Sequence, residues 1–322
     1  MPTAMVADPS CLALGINWEG GSRLASVCCW VYARTREVMK RSLLTVVCLL
    51  SLLLLPSCQS PPRQAAPSDT ILVLGAFNRE VTLLNEMLTG AQPQEIEGIG
   101  FLRGRVDNRS VVIAWTGIGK VNAAMTATLL LEHFKPTHVI FTGIAGAVGP
   151  NLEPGDIVIA KQTAHHDMGI ILEEGLEPGG VKNRLTGEDN PVFFPADEQL
   201  LAIAEKVAGK TAFGRIALKT GERAPKVVVG TVVTGDTFVA SKAKSAELAE
   251  KLGADAVEME GAAVAQLCYQ RGVKCLVIRS ISDKADESAV VDKQLFYTVA
   301  ARNSAGLVTE ITRALARGGN AE

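Results

Sequence analysis

From about residue 70 onward the chain repeats one pattern: a short run of buried-type side chains, a polar or glycine-rich stop, then apolar residues at helical spacing. "ILVLGA" (71–76) is followed by Val81, Leu84 and Leu88 on one helix face, and "VVIAW" (111–115) by a helix from about Lys120 to Phe134. "HVIFTG" (138–143), "DIVIA" (156–160), "TVVTG" (231–235), "DAVEM" (255–259) and "CLVIRSI" (275–281) continue the series. Short continuous apolar runs fit strands covered on both faces, and their alternation with helices predicts an α/β domain, three-layer α/β/α around a central sheet. "FLRGRV" (101–106) and "SVVIAW" (110–115) read as an antiparallel hairpin, so the sheet should be mixed. The segment from about Met168 to Pro195, rich in Gly, Glu, Asp and Pro and without a period, reads as a long covering loop.

The stops carry the polar groups. Glu80 follows the first run in "GAFNREV", "TGIAGAVG" (142–149) and "TGDTFVASK" (234–242) follow others, "AVEMEGAAVAQ" (256–266) sets Glu258 and Glu260 on either side of Met259, and "SISDKAD" (280–286) supplies Asp283. Open α/β sheets bind ligands outside the carboxyl ends of their strands, so these groups can share one crevice. Each also has a purely structural reading: Glu80 and Glu260 as first-turn carboxylates, the glycines as turn residues, Asp283 as a turn cap, Phe238 as core. The glycine-rich stretch lacks the Lys-Ser/Thr of a phosphate loop.

With 322 residues and 48% hydrophobic content the chain can bury a large core. A net charge of −2 gives no footprint for nucleic acid or for an acidic membrane surface. No cysteine pair has zinc spacing, and "HHD" (His165 to Asp167) alternates across a strand, which reads as a polar strand end and not as a metal site. Cys268 and Cys275 sit among apolar neighbours and read as buried thiols.

The N-terminus reads as an address. Residues 39–58, "MKRSLLTVVCLLSLLLLPSC", set Lys40 and Arg41 before an apolar run from Leu43 to Leu55, the grammar of a secretory signal and too short for a comfortable membrane span. "LLPSC" resembles the bacterial lipoprotein box, in which the signal is cut before the cysteine and that cysteine, here Cys58, is lipidated. The expectation is an exported, envelope-located protein held to the membrane only by that anchor. Residues 1–38 lie upstream of this start and read as a misassigned extension or an unusually long leader. The stretch after Cys58, "QSPPRQAAPSD", reads as a tether, so residues 58–69 link the anchor to a catalytic domain over 70–317.

"GAFNREVTLL", "TGIGKVNAAMTATLLLEHFKP", "TGIAGAVGPNLEPGDIVIA", "TGDTFVASK", "AVEMEGAAVAQ" and "RSISDKAD" stand in the order and spacing of the purine nucleoside phosphorylase/hydrolase superfamily. Within it the chain resembles the 5′-methylthioadenosine/S-adenosylhomocysteine nucleosidases. The resemblance implies hydrolysis of the bond between adenine N9 and ribose C1′ without a cofactor, in a homodimer whose neighbouring subunit closes the pocket. It implies Asp283 as the acid that protonates the leaving base, a role that requires a raised carboxyl pKa, and Glu80 as the residue that activates water. Glu260 would accept hydrogen bonds from the ribose hydroxyls, with Arg279 orienting it; Met259 would pack on the sugar, Phe238 stack on the base, Val239 read its edge through the backbone, Gly146 allow close approach, and Ser282 line the site. Ile144 stands where close relatives carry a small hydroxyl residue, and Phe77 replaces an aliphatic neighbour of the catalytic Glu. Two other readings are a phosphorylase, for which the first loop offers only Arg79 and Ala164 stands where an Arg is usual, and a lipid-anchored nucleoside-binding protein without catalysis.

Overall fold

The computed structural model describes residues 68–318 apart from 150, 174, 219 and 220. The extension, the signal, Cys58 and all but the last two tether residues lie outside the described residues. The elements in chain order are β1 (Ser68–Gly75), α1 (Asn78–Thr82), β2 (Thr89–Ile96), β3 (Ile99–Val106), β4 (Arg109–Trp115), α2 (Lys120–Phe134), β5 (Pro136–Ala147), β6 (Ile157–His165), β7 (Gly169–Leu172), β8 (Gly175–Pro178), β9 (Phe193–Pro195), α3 (Glu198–Ala208), β10 (Ile216–Leu218), β11 (Gly221–Arg223), β12 (Val227–Thr234), α4 (Lys242–Leu252), β13 (Ala256–Glu258), α5 (Gly261–Arg271), β14 (Lys274–Asp283) and α6 (Ala289–Ala316).

The period-2 geometry of a strand explains why the apolar runs are continuous. Along β1, Leu72 and Leu74 face one core with Ala127 and Leu130 of α2 and Val264 of α5, while Ile71 and Val73 face a second core with Val81 of α1, Leu200 of α3 and Ile311 of α6. Helices thus cover both faces, and the three-layer α/β/α expectation holds. The sheet order is β13-β12-β6-β14-β5-β1-β4-β3-β2, with β9 on β6. β5 is long enough to pair twice: it runs parallel to β14 along most of its length, and its last residues, Gly146 and Ala147, pair antiparallel with Val257 and Ala256 of β13. This closes five strands, β5, β14, β6, β12 and β13, into a ring, from which β1 to β4 extend as a wing.

The predicted hairpin is β3 against β4, and the sheet is mixed for a second reason: β6 runs antiparallel to β14 and carries β12 and β13 with it. Helix α2 spans Lys120–Phe134 as read from the sequence. Two expectations need correction. The helix drawn from Val81 to Leu88 is broken: α1 stops at Thr82, and a 3₁₀ turn over Asn85–Met87 follows. The segment 168–195 is not a plain loop; it holds the β7–β8 hairpin and ends in β9, which pairs with β6. Its composition hid this because the β7–β8 strands are only four residues long and largely exposed, so no core face marks them.

Candidate active site

Glu80 opens the site. It lies five residues past the end of β1, in the first turn of α1, and is buried, with 2% exposure. One carboxylate oxygen accepts from the Phe77 N–H (2.9 Å), the other from the Ile144 N–H (3.2 Å) on β5. Burial raises its pKa, against the lowering effect of these donors and of the Arg279 charge. Beside it, Gly143 leaves these groups close to the strand: a Cβ there would lie 3.2 Å from the Glu80 carboxylate and 3.4 Å from the Arg279 guanidinium, a tight fit.

Arg279 is fully buried on β14 and lies 4.4 Å over the Phe141 ring. The expectation that it orients Glu260 is corrected by its contacts. Its Nη2 and Nε donate to Glu258 Oε2 at 2.5 and 3.1 Å, and its Nη1 donates to the Phe141 carbonyl. Glu258 is held further by donors from the Thr234 hydroxyl and from the backbone N–H groups of Glu260 and Gly261, so it fastens the ends of β12 and β13 and the middle of β14 to the start of α5. Alternation explains the error: residues two apart on a strand share a face, so the sequence does not say which of Glu258 and Glu260 meets the arginine.

Glu260, two residues on, turns toward α2 and accepts from the Gly119 N–H at 2.8 Å. Its own burial and the Glu258 charge push its pKa up to about 8, with Arg279 pulling the other way. Gly119 is followed by Lys120, whose N–H donates to Asp236 (2.8 Å), and Lys120 Nζ pairs with Asp167 at 2.6 Å. The residues of "HHD" therefore serve three different partners: His165 meets Gln266, His166 packs under Gly235, and Asp167 anchors Lys120 and the Asp236 N–H.

Past Asp236 the loop exposes Phe238 (45%) and buries Val239, which packs with Ala285. That loop is tied to the last functional group through the Ser241 N–H, which donates to the Ala285 carbonyl. Ala285 in turn donates its N–H to Asp283 Oδ1 (2.9 Å), while the Ser282 hydroxyl donates to Asp283 Oδ2 (2.7 Å). Asp283 is 1% exposed at the end of β14 and faces Gly146 on β5. A Cβ at Gly146 would come within 2.7 Å of Asp283 Oδ1, so the carboxylate itself requires this glycine. Met259 stays partly exposed at the rim.

The contacts form a closed circuit: Glu80, Gly143, Gly146, Asp283, Ala285, the Val239 loop, Asp236, Gly119, Glu260, Glu258, Arg279 and back to Glu80. Every residue expected in the site falls on or beside it. Sequence reasoning missed Gly143, Gly119 and the role of Glu258; the first two are backbone features, and no side-chain pattern could have marked them.

Residues 70–313 match the profile of the phosphorylase superfamily. The chain belongs to that superfamily. Within it the similarity is to nucleosidases. The 5′-methylthioadenosine/S-adenosylhomocysteine nucleosidase of Bacillus thuringiensis is 36% identical over 249 residues, which cover 76% of this chain and 99% of that protein. The nucleosidase of that name from Neisseria meningitidis, solved with methylthio-immucillin-A, superposes with a TM-score of 0.67 at 34% identity, covering 76% of this chain and 99% of that one. The futalosine hydrolase of Helicobacter pylori gives 0.65 at 31% identity, with 75% and 96% coverage. The domain described here thus corresponds to whole, free-standing relatives.

Proposed function

We propose that this protein hydrolyses the N-ribosidic bond of an adenine nucleoside of the 5′-methylthioadenosine/S-adenosylhomocysteine type, with Asp283 as general acid and Glu80 activating water. The observation that supports the reading is the circuit of contacts linking Glu80, Glu260 and Asp283, which stand at the ends of β1, β13 and β14 in different surroundings. Gly143 and Gly146, which mark the Glu80 and Asp283 ends, are three residues and so about 10 Å apart along β5, room for a ribose between base and water. The bond breaks with oxocarbenium character, so a proton must reach the purine while a nucleophile approaches C1′ from the other side. Asp283 delivers the proton to the base, and Ser282 and the Ala285 N–H fix its carboxyl group. The exposed Phe238 ring takes the purine face and the Val239 backbone its edge. Glu260 holds the ribose hydroxyls and Met259 packs against the sugar. Arg279 acts at one remove, through Glu258.

Water is favoured over phosphate because the resemblance puts Ala164, buried on β6, where related phosphorylases carry an Arg. Incubation with and without phosphate tests this: free ribose product in both cases is expected, and a phosphorylated sugar appearing only with phosphate would make the protein a phosphorylase. Binding of an adenine nucleoside with no release of base would make it a binding protein. A panel of methylthioadenosine, S-adenosylhomocysteine, adenosine, inosine and futalosine assayed for free base would assign the 5′ group.

Two features support a homodimer. Trp115, Ile118, Val121 and Met125 form an exposed apolar strip beside Gly119, and Ile170, Ile171 and Leu172 stand exposed on β7. Export and lipidation at Cys58 rest on the signal grammar. Cys58→Ala should leave an unprocessed precursor, read by mass spectrometry and detergent partitioning, and normal processing would remove the assignment.

A further inference from the structure

Helix α2 starts poorly by its own sequence. Its first turn carries no carboxylate, its N-cap Gly119 supplies no side-chain acceptor, and a cation, Lys120, stands at its first position, where the helix dipole disfavours positive charge. The missing acceptors come from elsewhere in the chain. The Gly119 N–H donates to Glu260 at 2.8 Å and the Lys120 N–H to Asp236 Oδ1 at 2.8 Å, so carboxylates from two separate strand ends take neighbouring amides. The Lys120 ammonium pairs with Asp167 at 2.6 Å and lies 3.9 Å from the second Asp236 oxygen. Asp167 completes the triangle by accepting from the Asp236 N–H at 2.9 Å.

Capping alone does not account for the lysine, since an acidic residue in the first turn is what stabilises a helix start. What the triangle fixes is the loop after β12. Asp236 is held at its side chain by Lys120 and at its N–H by Asp167, and further along the same loop the Ser241 N–H is held by the Ala285 carbonyl at 3.2 Å. Phe238 and Val239 lie on the span between these two anchors. One anchor belongs to the Asp283 end of the circuit, through Ala285; the other belongs to the Glu260 end, through Gly119 and Lys120. Gly119 makes the second one possible: its φ is +91°, and a Cβ there would come within 3.0 Å of Asp236 Oδ1. Lys120 thus joins the loop that carries the aromatic ring to the turn that holds Glu260.

We propose that Lys120 is a positioning residue: through Asp167 and Asp236 it sets the Phe238 and Val239 span relative to Glu260, so that the groups for the base and for the ribose stand at one fixed spacing. The proposal rests on the nucleosidase reading. Contacts to base and ribose are made before bond cleavage as well as during it, so their loss should appear in binding and not in turnover. The test reads KM for methylthioadenosine from adenine release, and Kd for adenine alone by calorimetry. Lys120→Met should raise both about tenfold, within the 10²-fold that displacement by an ångström can cost, while kcat stays within about threefold. The ion pair is partly exposed, so the unfolding midpoint should move by no more than about 3 °C. Asp167→Ala, which keeps the cation, should raise both constants similarly, and it carries the test if Lys120→Met does not fold. Combining the two should add less than about threefold to the larger single loss, because they act through one device. A lower kcat at unchanged KM, the mark of fewer folded molecules, would overturn the proposal, as would losses that multiply in the double variant. A wild type that binds adenine but releases none from any nucleoside would remove the nucleosidase reading alone, and the adenine arm would still decide the role of Lys120. A wild type that neither binds nor releases adenine would overturn both.

Discussion

The crevice and the β7–β8 hairpin invert the usual distribution of side chains in opposite ways. Around the crevice, Arg279, Glu80, Glu258, Glu260 and Asp283 are at most 5% exposed. On the hairpin Ile170, Ile171 and Leu172 are 67%, 82% and 53% exposed, within a domain otherwise well able to bury such residues. Charged groups almost never go inside unless paired, and these are paired at nearly every oxygen and nitrogen. The buried charges draw their partners from strands of the whole ring. Among the described residues, Ile170, Ile171 and Leu172 belong to neither main core.

The largest effect should come from the crevice. Asp283→Asn is expected to lower base release by about 10²–10⁴-fold while nucleoside binding changes only a few-fold, since the loss is of proton transfer and not of contact. Near-normal turnover would place the acid elsewhere. Glu258→Gln should instead strike the fold: stranding the Arg279 charge inside costs about 3–5 kcal/mol. At about 2–4 °C per kcal/mol for a domain of this size, calorimetry should see the unfolding midpoint fall by roughly 10 °C. An unchanged midpoint would mean that the buried pair is not holding the ring together.

Glu260 gives a smaller, pH-dependent effect. Held near 8, it is mostly protonated in the free protein at neutral pH, whereas accepting bonds from ribose hydroxyls favours the ionised form. Nucleoside binding near pH 7 should therefore release a proton, and affinity should rise by up to tenfold per pH unit until about 8 and then level. Titration calorimetry in buffers of different ionisation heat reads the proton directly, and Glu260→Gln should abolish it. For the free protein the sign runs the other way. A carboxyl whose folded pKa is raised contributes stability that is full below its ordinary value of 4.5 and is lost as pH rises through about 8. The smallest effect on the fold belongs to the hairpin: Ile171→Ser should leave monomer stability within about 0.5 kcal/mol yet weaken self-association in sedimentation experiments. A clear loss of stability would show that the hairpin packs on its own chain.

The same contrast explains what was legible in the sequence. β1, β4, β5 and β14 could be read because strands covered on both faces are written as unbroken apolar runs, and α2 because it begins after two glycines and ends beside a proline. Strand direction could not be read: nothing local tells β6 to run against β14, or the last residues of β5 to cross to β13. In the site, Glu80, Glu260 and Asp283 were visible as carboxylates at the ends of apolar runs. The pairing of Arg279 with Glu258 was not, because it depends on where a strand turns into a helix.

Glu258 receives the Thr234 hydroxyl, the Arg279 guanidinium and the N–H groups of Glu260 and Gly261 in one buried carboxylate. Separating any of these neighbours leaves the others facing an unsatisfied negative charge. The back wall should therefore not breathe, and the Glu260 and Gly261 amides should be among the slowest in the molecule to exchange with deuterated solvent.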